Sequence, residues 1–573
     1  MRTQYFFSIL VFSTLILGCK EDFLQEVPQA VLSDETLNTK ESIEGLVNSA
    51  YASLSNDHYT APHMLWPYGD LRSGDAYKGG DGPADIATYH AMEIFTTLQA
   101  DMSTYAPSTL GDINNKKWAR QYIFISRINN ALRRLSNYKG ADYPEREKRI
   151  AELRFLRGYL YFDLKILYKY IPYITEEYTV EQIEKLGNRD FSDNELWTKI
   201  AEEFKYASEV LPSSNVDKGR PNKWIAKSLL AKTLLYQAYK QNETHQVISI
   251  DAENLKQVVK LVGEVEGSGI YGLESDFANP FLYAHENGKE AVWQIQRSHN
   301  DGTSIGNLDF SSMLSYPMNS AYGCCGFHTP TQNLVNSFKT DLNGLPVENF
   351  NNSDLDLLSD FVDPRLDHTV AQPGKPFKYE QSLIYKTDTW ARQPGIYGPY
   401  SSLKEVESPN CGCFEKIPPF MSSSKNTIIT RFSDLLLWKA EALIELNQVQ
   451  EGVNIINNIR IRASNSTSLL KDNTQKFLSK YKIGLYGSLS KDEARKALRR
   501  ERRLELAMEG HRFFDLVRWG IAAEYVNEYL NSEKQRRDHL KDANFKKGQH
   551  EYLPIPQIQI NLSNGTYKQN IGY

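Results

Sequence analysis

The sequence predicts a mainly α fold, an irregular framework of helical hairpins that carries a large loop-rich insertion with short strands. Two features predict it. Apolar residues recur at helical spacing from about residue 42 to 260 and again from about 428 to 509. Between about 265 and 425, Gly, Pro, Asn and Ser interrupt the chain every few residues, and apolar runs shrink to strand length, as in Ala291-Val292-Trp293-Gln294-Ile295. A chain of 573 residues, 41% hydrophobic and 24% charged, has enough apolar mass for a large buried core.

The helices follow in order. Ser42–Leu54 places Ile43, Leu46, Val47, Ala50 and Leu54 on one stripe, and Lys117–Leu135 does so with Trp118, Tyr122, Ile125, Ile128 and Leu132. Arg149–Tyr170 runs until Pro172 stops it; Asn194–Val210 and Asn222–Tyr239 follow. Ile428–Ala463 returns as two helices around an Asn447-Gln448 turn, with Leu435, Trp438, Ala442 and Leu446 on the first and Val453, Ile456, Ile459 and Ile461 on the second. Small residues at such crossings suit a tetratricopeptide-like pair, without a fixed repeat period. Ser490 and Glu493 form a capping box for a helix from Ala494 to Glu509 that ends at Gly510. Trp118, Trp224, Trp293, Trp438 and Trp519 lie in periodic segments and are expected to be structural.

The N-terminus carries a different message. Arg2 precedes a Tyr5–Leu17 apolar stretch and Ile16-Leu17-Gly18-Cys19 closes it. Thirteen helical residues span about 20 Å, short of the roughly 30 Å hydrocarbon core, so this segment is an export signal and not a membrane span. It resembles a bacterial lipobox, which implies cleavage before Cys19 and acylation of that cysteine by fatty chains such as palmitate; the alternative is a plain signal with an incidental cysteine. Two or more acyl chains make a stable anchor. Residues 19–35 then read as a polar tether. The chain divides into residues 1–18 (signal), 19–35 (tether), 36–264 (N-terminal helical region), 265–425 (loop-rich, ligand-binding region) and 426–573 (C-terminal helical region).

The other four of the five cysteines fall in two close pairs, Cys324-Cys325 and Cys411-Gly412-Cys413. In an exported chain the first expectation is one or two disulfides joining those loops; free thiols or a metal remain open, although neither pair has zinc-knuckle spacing. Asp354, Asp356 and Asp360 fit no calcium loop and read as a solvated turn. A net charge of −5 gives no electrostatic case for nucleic acid. There is no G-x-S-x-G, H-E-x-x-H, P-loop or G-x-G-x-x-G, and no cofactor is expected. A surface glycosidase would need two facing carboxylates, a separation that sequence does not give.

The densest motif is RRERRLELAMEGHRFFDLVRWG, residues 499–520. Its signs alternate too closely for a phosphate patch, so it predicts an ion-pair lattice, followed by rings and arginines that stack and fork to carboxylates. This run resembles the C-terminal signature of the SusD/RagB family of Bacteroidota outer-membrane lipoproteins. Glu152–Tyr173 is similar to the family's N-terminal helix, with Lys169 where glycine is usual. Arg431–Ala463 is similar to its tetratricopeptide-like pair, Asp363-Pro364-Arg365-Leu366 to its DPRL turn, and Tyr552–Tyr573 to its terminal LPIP…QNPGY, with Ile571 in place of the proline. Lys20-Glu21-Asp22 resembles the acidic export signal of surface lipoproteins.

The resemblance implies a SusD-like fold and a non-enzymatic surface protein. It implies that the protein captures an oligosaccharide, or in a few members peptides, and delivers it to a TonB-dependent, SusC-like transporter from the outer face of the outer membrane. A purely structural plug for the transporter is the other alternative. Glycan capture calls for ring faces and a few planar polar groups. Loop position and chemistry select Trp66, Tyr68, Asp70, Arg72, Asp75 and Tyr77 in a Gly-rich segment, Tyr316, Tyr322 and Phe327 around Cys324-Cys325, and Trp390 with Arg392. For each aromatic, core or loop packing is the competing role.

Overall fold

The computed structural model describes residues 38–55, 58–96, 112–304, 306–418 and 420–573, so the export signal, Cys19 and the tether lie outside the described residues. Helix α1, Lys40–Ser55, buries Ile43, Val47, Ala50 and Leu54. Helix α2, Trp66–Ser73, buries all eight of its residues. Asp112 caps α3, Ile113–Asn137, by accepting from the Asn115 amide at 3.0 Å. Helix α4, Arg146–Tyr168, leaves helical geometry at Lys169, which has φ +62°. The chain thus turns before Pro172 is reached, and the left-handed backbone explains why glycine suits that position. Helices α5 (Asp193–Val210), α6 (Lys223–Ala238) and α7 (Ala252–Gly267) pack in succession, α5 on α4, α6 on α5 and α7 on α6, each opened by a polar cap, Ser192, Asn222 and Asp251.

The insertion is built from two-stranded ribbons rather than one sheet. Strand β1 (Ala76–Gly79) reaches across the sequence; β2 is Ala291–Ile295, β3 Phe327–Pro330, β4 Phe414–Ile417, β5 Phe420–Ser423 and β6 Thr427–Arg431. β1 pairs antiparallel with β3 in the register Ala76↔Pro330 and Gly79↔Phe327, β4 with β5, and β2 with β6. The last pairing corrects the helix expected from Ile428: residues 427–431 are strand, and helix α8 begins at Phe432. Helix α8 (Phe432–Glu445) and α9 (Val449–Asn465) form the hairpin around Asn447, φ +65°. Ile461 is exposed, so the buried stripe of α9 is Val453, Ile456, Ile459 and Ala463. Helices α10 (Lys491–Leu506), α11 (Arg512–Arg518) and α12 (Ala522–Glu533) complete the frame. One hydrophobic cluster draws residues from Ile43 to Ile555, and a smaller second one lies wholly within the insertion.

The charges in the second half of α10, Glu501, Arg502, Arg503 and Glu505, are buried and pair across elements, whereas exposed Asp492 in the first turn pairs along the helix with Arg495. Glu505 meets Arg365 at 3.0 Å, Arg431 at 2.9 Å and Arg462 at 2.5 Å. Arg365 also forks to Asp363 and bonds Glu501 at 2.7 Å; Arg431 forks to Glu509 with both contacts at 2.8 Å and reaches Glu290 at 2.7 Å. Arg502 joins Asp434 to Asp515, and Arg518 is held by Glu441 and Asp515. Burial pushes Glu505 and Glu509 up, but the surrounding arginines overcome it and hold both below the usual carboxylate range, Glu509 at about 2. A depressed carboxylate contributes stability that is present above its unfolded value of about 4.5 and lost as the pH falls toward 2. Glu505→Gln is expected to lower the urea unfolding free energy by about 3–5 kcal/mol at pH 7, because three arginines lose their shared charge. A change below about 1 kcal/mol contradicts the lattice's role.

Candidate functional site

The structure moves almost every sequence-selected residue below the surface. Trp66, Tyr68, Asp70 and Arg72 lie on α2, Tyr77 on β1 and Phe327 on β3; all six, with Asp75, are buried. The Gly-rich segment folds as helix over Trp66–Ser73 and strand over Ala76–Gly79, with the helix held tight against the turn after α10. A Cβ on Gly69 would stand 2.0 Å from the Gly510 carbonyl oxygen, so α2 and the turn after α10 touch backbone to backbone. Trp66 stacks on His328 at 4.8 Å, meets Tyr89 edge-on at 5.3 Å and donates to the Ser311 carbonyl. Arg72 stacks over Phe513 and donates to the His550 carbonyl, Asp75 holds Arg503, and Tyr77 donates to Glu533. Tyr316, Tyr322 and Trp390 pack with Phe377, Tyr385 and Met421 in the second cluster. These rings lie buried in the two hydrophobic clusters, which is the placement expected of the competing packing role.

Arg392 alone among the candidates is half-exposed, and it marks an outward face. Its Nη1 lies 3.1 Å from Asp85 Oδ2 and donates to the Cys325 carbonyl at 3.3 Å, while Nη2 lies 3.5 Å from Asp81 Oδ2. Gln393 Nε2 donates to Asp81 Oδ1 at 2.6 Å. The loop that presents Asp81 and Asp85 is glycine-dependent. Gly80 has φ +73°, and a Cβ there would stand 2.4 Å from the Phe327 ring. Lys78 anchors the loop from beneath, donating to the Gly82 and Asp85 carbonyls. Beside it, half-exposed Tyr59 lies 4.3 Å from His58 and 5.6 Å from Phe420, ring to ring. Tyr89 donates to the Tyr59 carbonyl, and partial burial, then the charge of Asp85, pushes the Tyr59 phenol up. His58, Tyr59 and Phe420 are not among the residues selected from sequence. The signal was present: a His-Tyr pair in the polar run before Pro62, and Phe420 after Pro418-Pro419, each without a helical stripe.

Under this face sits a buried charge triad. His328 Nδ1 contacts Glu405 at 2.5 Å and Nε2 contacts Asp70 at 2.9 Å; Ser402 donates to Glu405 and the Gly510 amide to Asp70. Burial alone would lower the imidazole, but the two carboxylates outweigh it and raise His328 to about 9. Burial raises Asp70 to about 6 against the pull of His328, and His328 holds Glu405 at about 2 despite burial.

The cysteine expectation is also corrected. Cys324 bonds Cys325 and Cys411 bonds Cys413, so each pair closes on itself and the two loops are not joined. The nearest thiol is the one that costs least chain entropy to reach. Asp354 pairs with Arg536, and Asp356 caps its own turn through Leu358 and Ser359. Among the described residues no group of three or more His, Cys, Asp or Glu is arranged to hold a metal, and no helix is long and apolar enough to cross a membrane.

Two family models match the chain, one described as SusD family over residues 289–573 and one as starch-binding associating with outer membrane over residues 22–235. The chain belongs to the SusD-like family. A SusD-like protein of Formosa agariphila is 25% identical over 97% of both chains, and one of Bacteroides ovatus is 23% identical over 93% of this chain and 86% of its own. Among solved structures, a laminarin binding SusD-like protein superimposes with TM-score 0.66 at 20% identity, covering 93% of this chain and 100% of its own. Surface glycan-binding protein A from Bacteroides thetaiotaomicron, in complex with laminarihexaose, gives TM-score 0.64 at 19% identity over 93% and 100%. The SusD-like fold, mostly helical with short strands, is therefore shared over 93% of this chain.

The charged His328 contributes stability that is complete below its unfolded value near 6.5 and lost as the pH rises through about 9. The difference in unfolding free energy between wild type and His328→Gln is expected to shrink by up to about 3 kcal/mol from pH 6.5 to 9, measured by urea denaturation. A constant difference would show that the triad carries no such charge.

Proposed function

We propose that this SusD-like protein is a non-enzymatic, lipid-anchored surface receptor that holds an oligosaccharide on the Tyr59–Arg392 face and hands it to a TonB-dependent, SusC-like transporter. The observation that carries the reading is the half-exposed group of His58, Tyr59 and Phe420 beside planar Arg392, Gln393, Asp81 and Asp85. Ring faces stack on the apolar face of a sugar, and the forked polar groups match adjacent hydroxyls. Relatives of the same fold that bind laminarin and laminarihexaose support the ligand class. The family description that places starch binding at the outer membrane, with the lipobox-like Ile16–Cys19, supports the anchor and location. Anchoring through Cys19 orients the receptor toward the cell exterior and beside its transporter.

In calorimetry against a glycan panel, Tyr59→Ala and Phe420→Ala are each expected to weaken binding by about 1–3 kcal/mol, on the scale of base–aromatic stacking. Both should keep near-wild-type melting. Trp66→Ala should instead lose about 3–5 kcal/mol of stability, as a core truncation does. Unchanged affinity in the Tyr59 and Phe420 variants removes the face from the reading, and sustained release of reducing ends from any bound glycan overturns the non-enzymatic assignment. Radiolabelled palmitate should enter the wild-type protein in cells and not the Cys19→Ala variant; equal labelling contradicts the anchor.

A further inference from the structure

We infer that this face accepts an uncharged sugar chain and rejects sulfated or uronate-bearing ones, an inference that rests on the glycan-binding reading of the same face. A sulfate or carboxylate leaving water needs a cation with free hydrogen-bond donors, and an arginine fork is the usual solution. Both cations that reach the loop are already committed. Arg392 divides its guanidinium among Asp85 at 3.1 Å, the Cys325 carbonyl at 3.3 Å and Asp81 at 3.5 Å. Lys78 is buried, with its ammonium donating to the Gly82 and Asp85 carbonyls and lying 5.0 Å from the Phe327 ring centre.

The segment that carries the loop offers no replacement. Among the described residues of 58–96 the other Lys or Arg besides Lys78 is Arg72, buried on the His550 carbonyl. On the β4–β5 hairpin, alternation puts Glu415 and Ile417 on the side of Phe420, whereas Lys416, though exposed, lies on the opposite side with Met421. Two carboxylates are exposed here, the Asp81 side chain at 54% and that of Glu415 at 39%. Like charge within a Debye length of about 10 Å at 0.1 M salt raises the cost of bringing an anionic chain to the rings.

The test is affinity electrophoresis of the purified protein through gels containing laminarin or starch as neutral probes and alginate or carrageenan as anionic ones, at 50 and 500 mM NaCl. A neutral gel is expected to retard the wild-type protein equally at both salts, and the anionic gels not at all. The double variant Asp81→Asn with Asp85→Asn frees Arg392 and is expected to gain at least about tenfold affinity for an anionic gel at 50 mM salt, lost at 500 mM. Wild-type retardation by alginate or carrageenan as strong as by any neutral glycan, and weakened by salt, overturns the inference while leaving glycan binding intact. Retardation by none of the four overturns both. The wild-type salt comparison decides even when the double variant does not fold.

Discussion

Buried arginine is the constraint around which this molecule is assembled. Glu505 sits among three guanidinium groups drawn from the DPRL turn, the strand before α8 and the end of α9, and Glu290 closes the circuit through Arg431 and Arg462. Each guanidinium has given up water, so each needs all of its carboxylates in place, and a partly assembled lattice is worse than an apolar core. Segments separated by more than 200 residues are thereby held in one arrangement, and the loop-rich insertion is fixed to the helical frame by charge as much as by apolar packing.

That rigidity passes directly to the outward face. The turn after α10 presses Gly510 against Gly69 and donates its amide to Asp70, which holds His328, which holds Glu405. Trp66 lies on the same imidazole and supports Tyr89, whose hydroxyl bonds the backbone of Tyr59. Trp66 and Asp70, chosen from sequence for ligand contact, thus lie in the floor beneath the residues that present rings and forks to solvent, among which Arg392 was also chosen. A receptor gains affinity from such pre-organisation because the ordering cost is met during folding and not on binding.

How much was legible depends on the range of the interaction. Helices α1 and α3 to α6 were legible because their apolar stripes are local, and the Ser490–Glu493 box announces α10 within four residues. The strand at residues 427–431 was read as helix because its apolar run has no partner within sequence range, and only β2, more than 130 residues away, makes it a strand. Trp66 and Trp390 looked like loop aromatics because a short, fully buried helix and a second small core leave no periodic trace.

The sequence by itself determined the family, through the 499–520 signature and the DPRL turn, and it determined that the dense charges of α10 would pair with one another's opposites. Tertiary structure decided which partners those charges took, that each cysteine pair closed on itself, and which aromatic rings face water. The physical reason is the same in each case. Side-chain chemistry and helical period are written into neighbouring residues, whereas burial is a property of what packs on top, and in this chain that covering comes from hundreds of residues away.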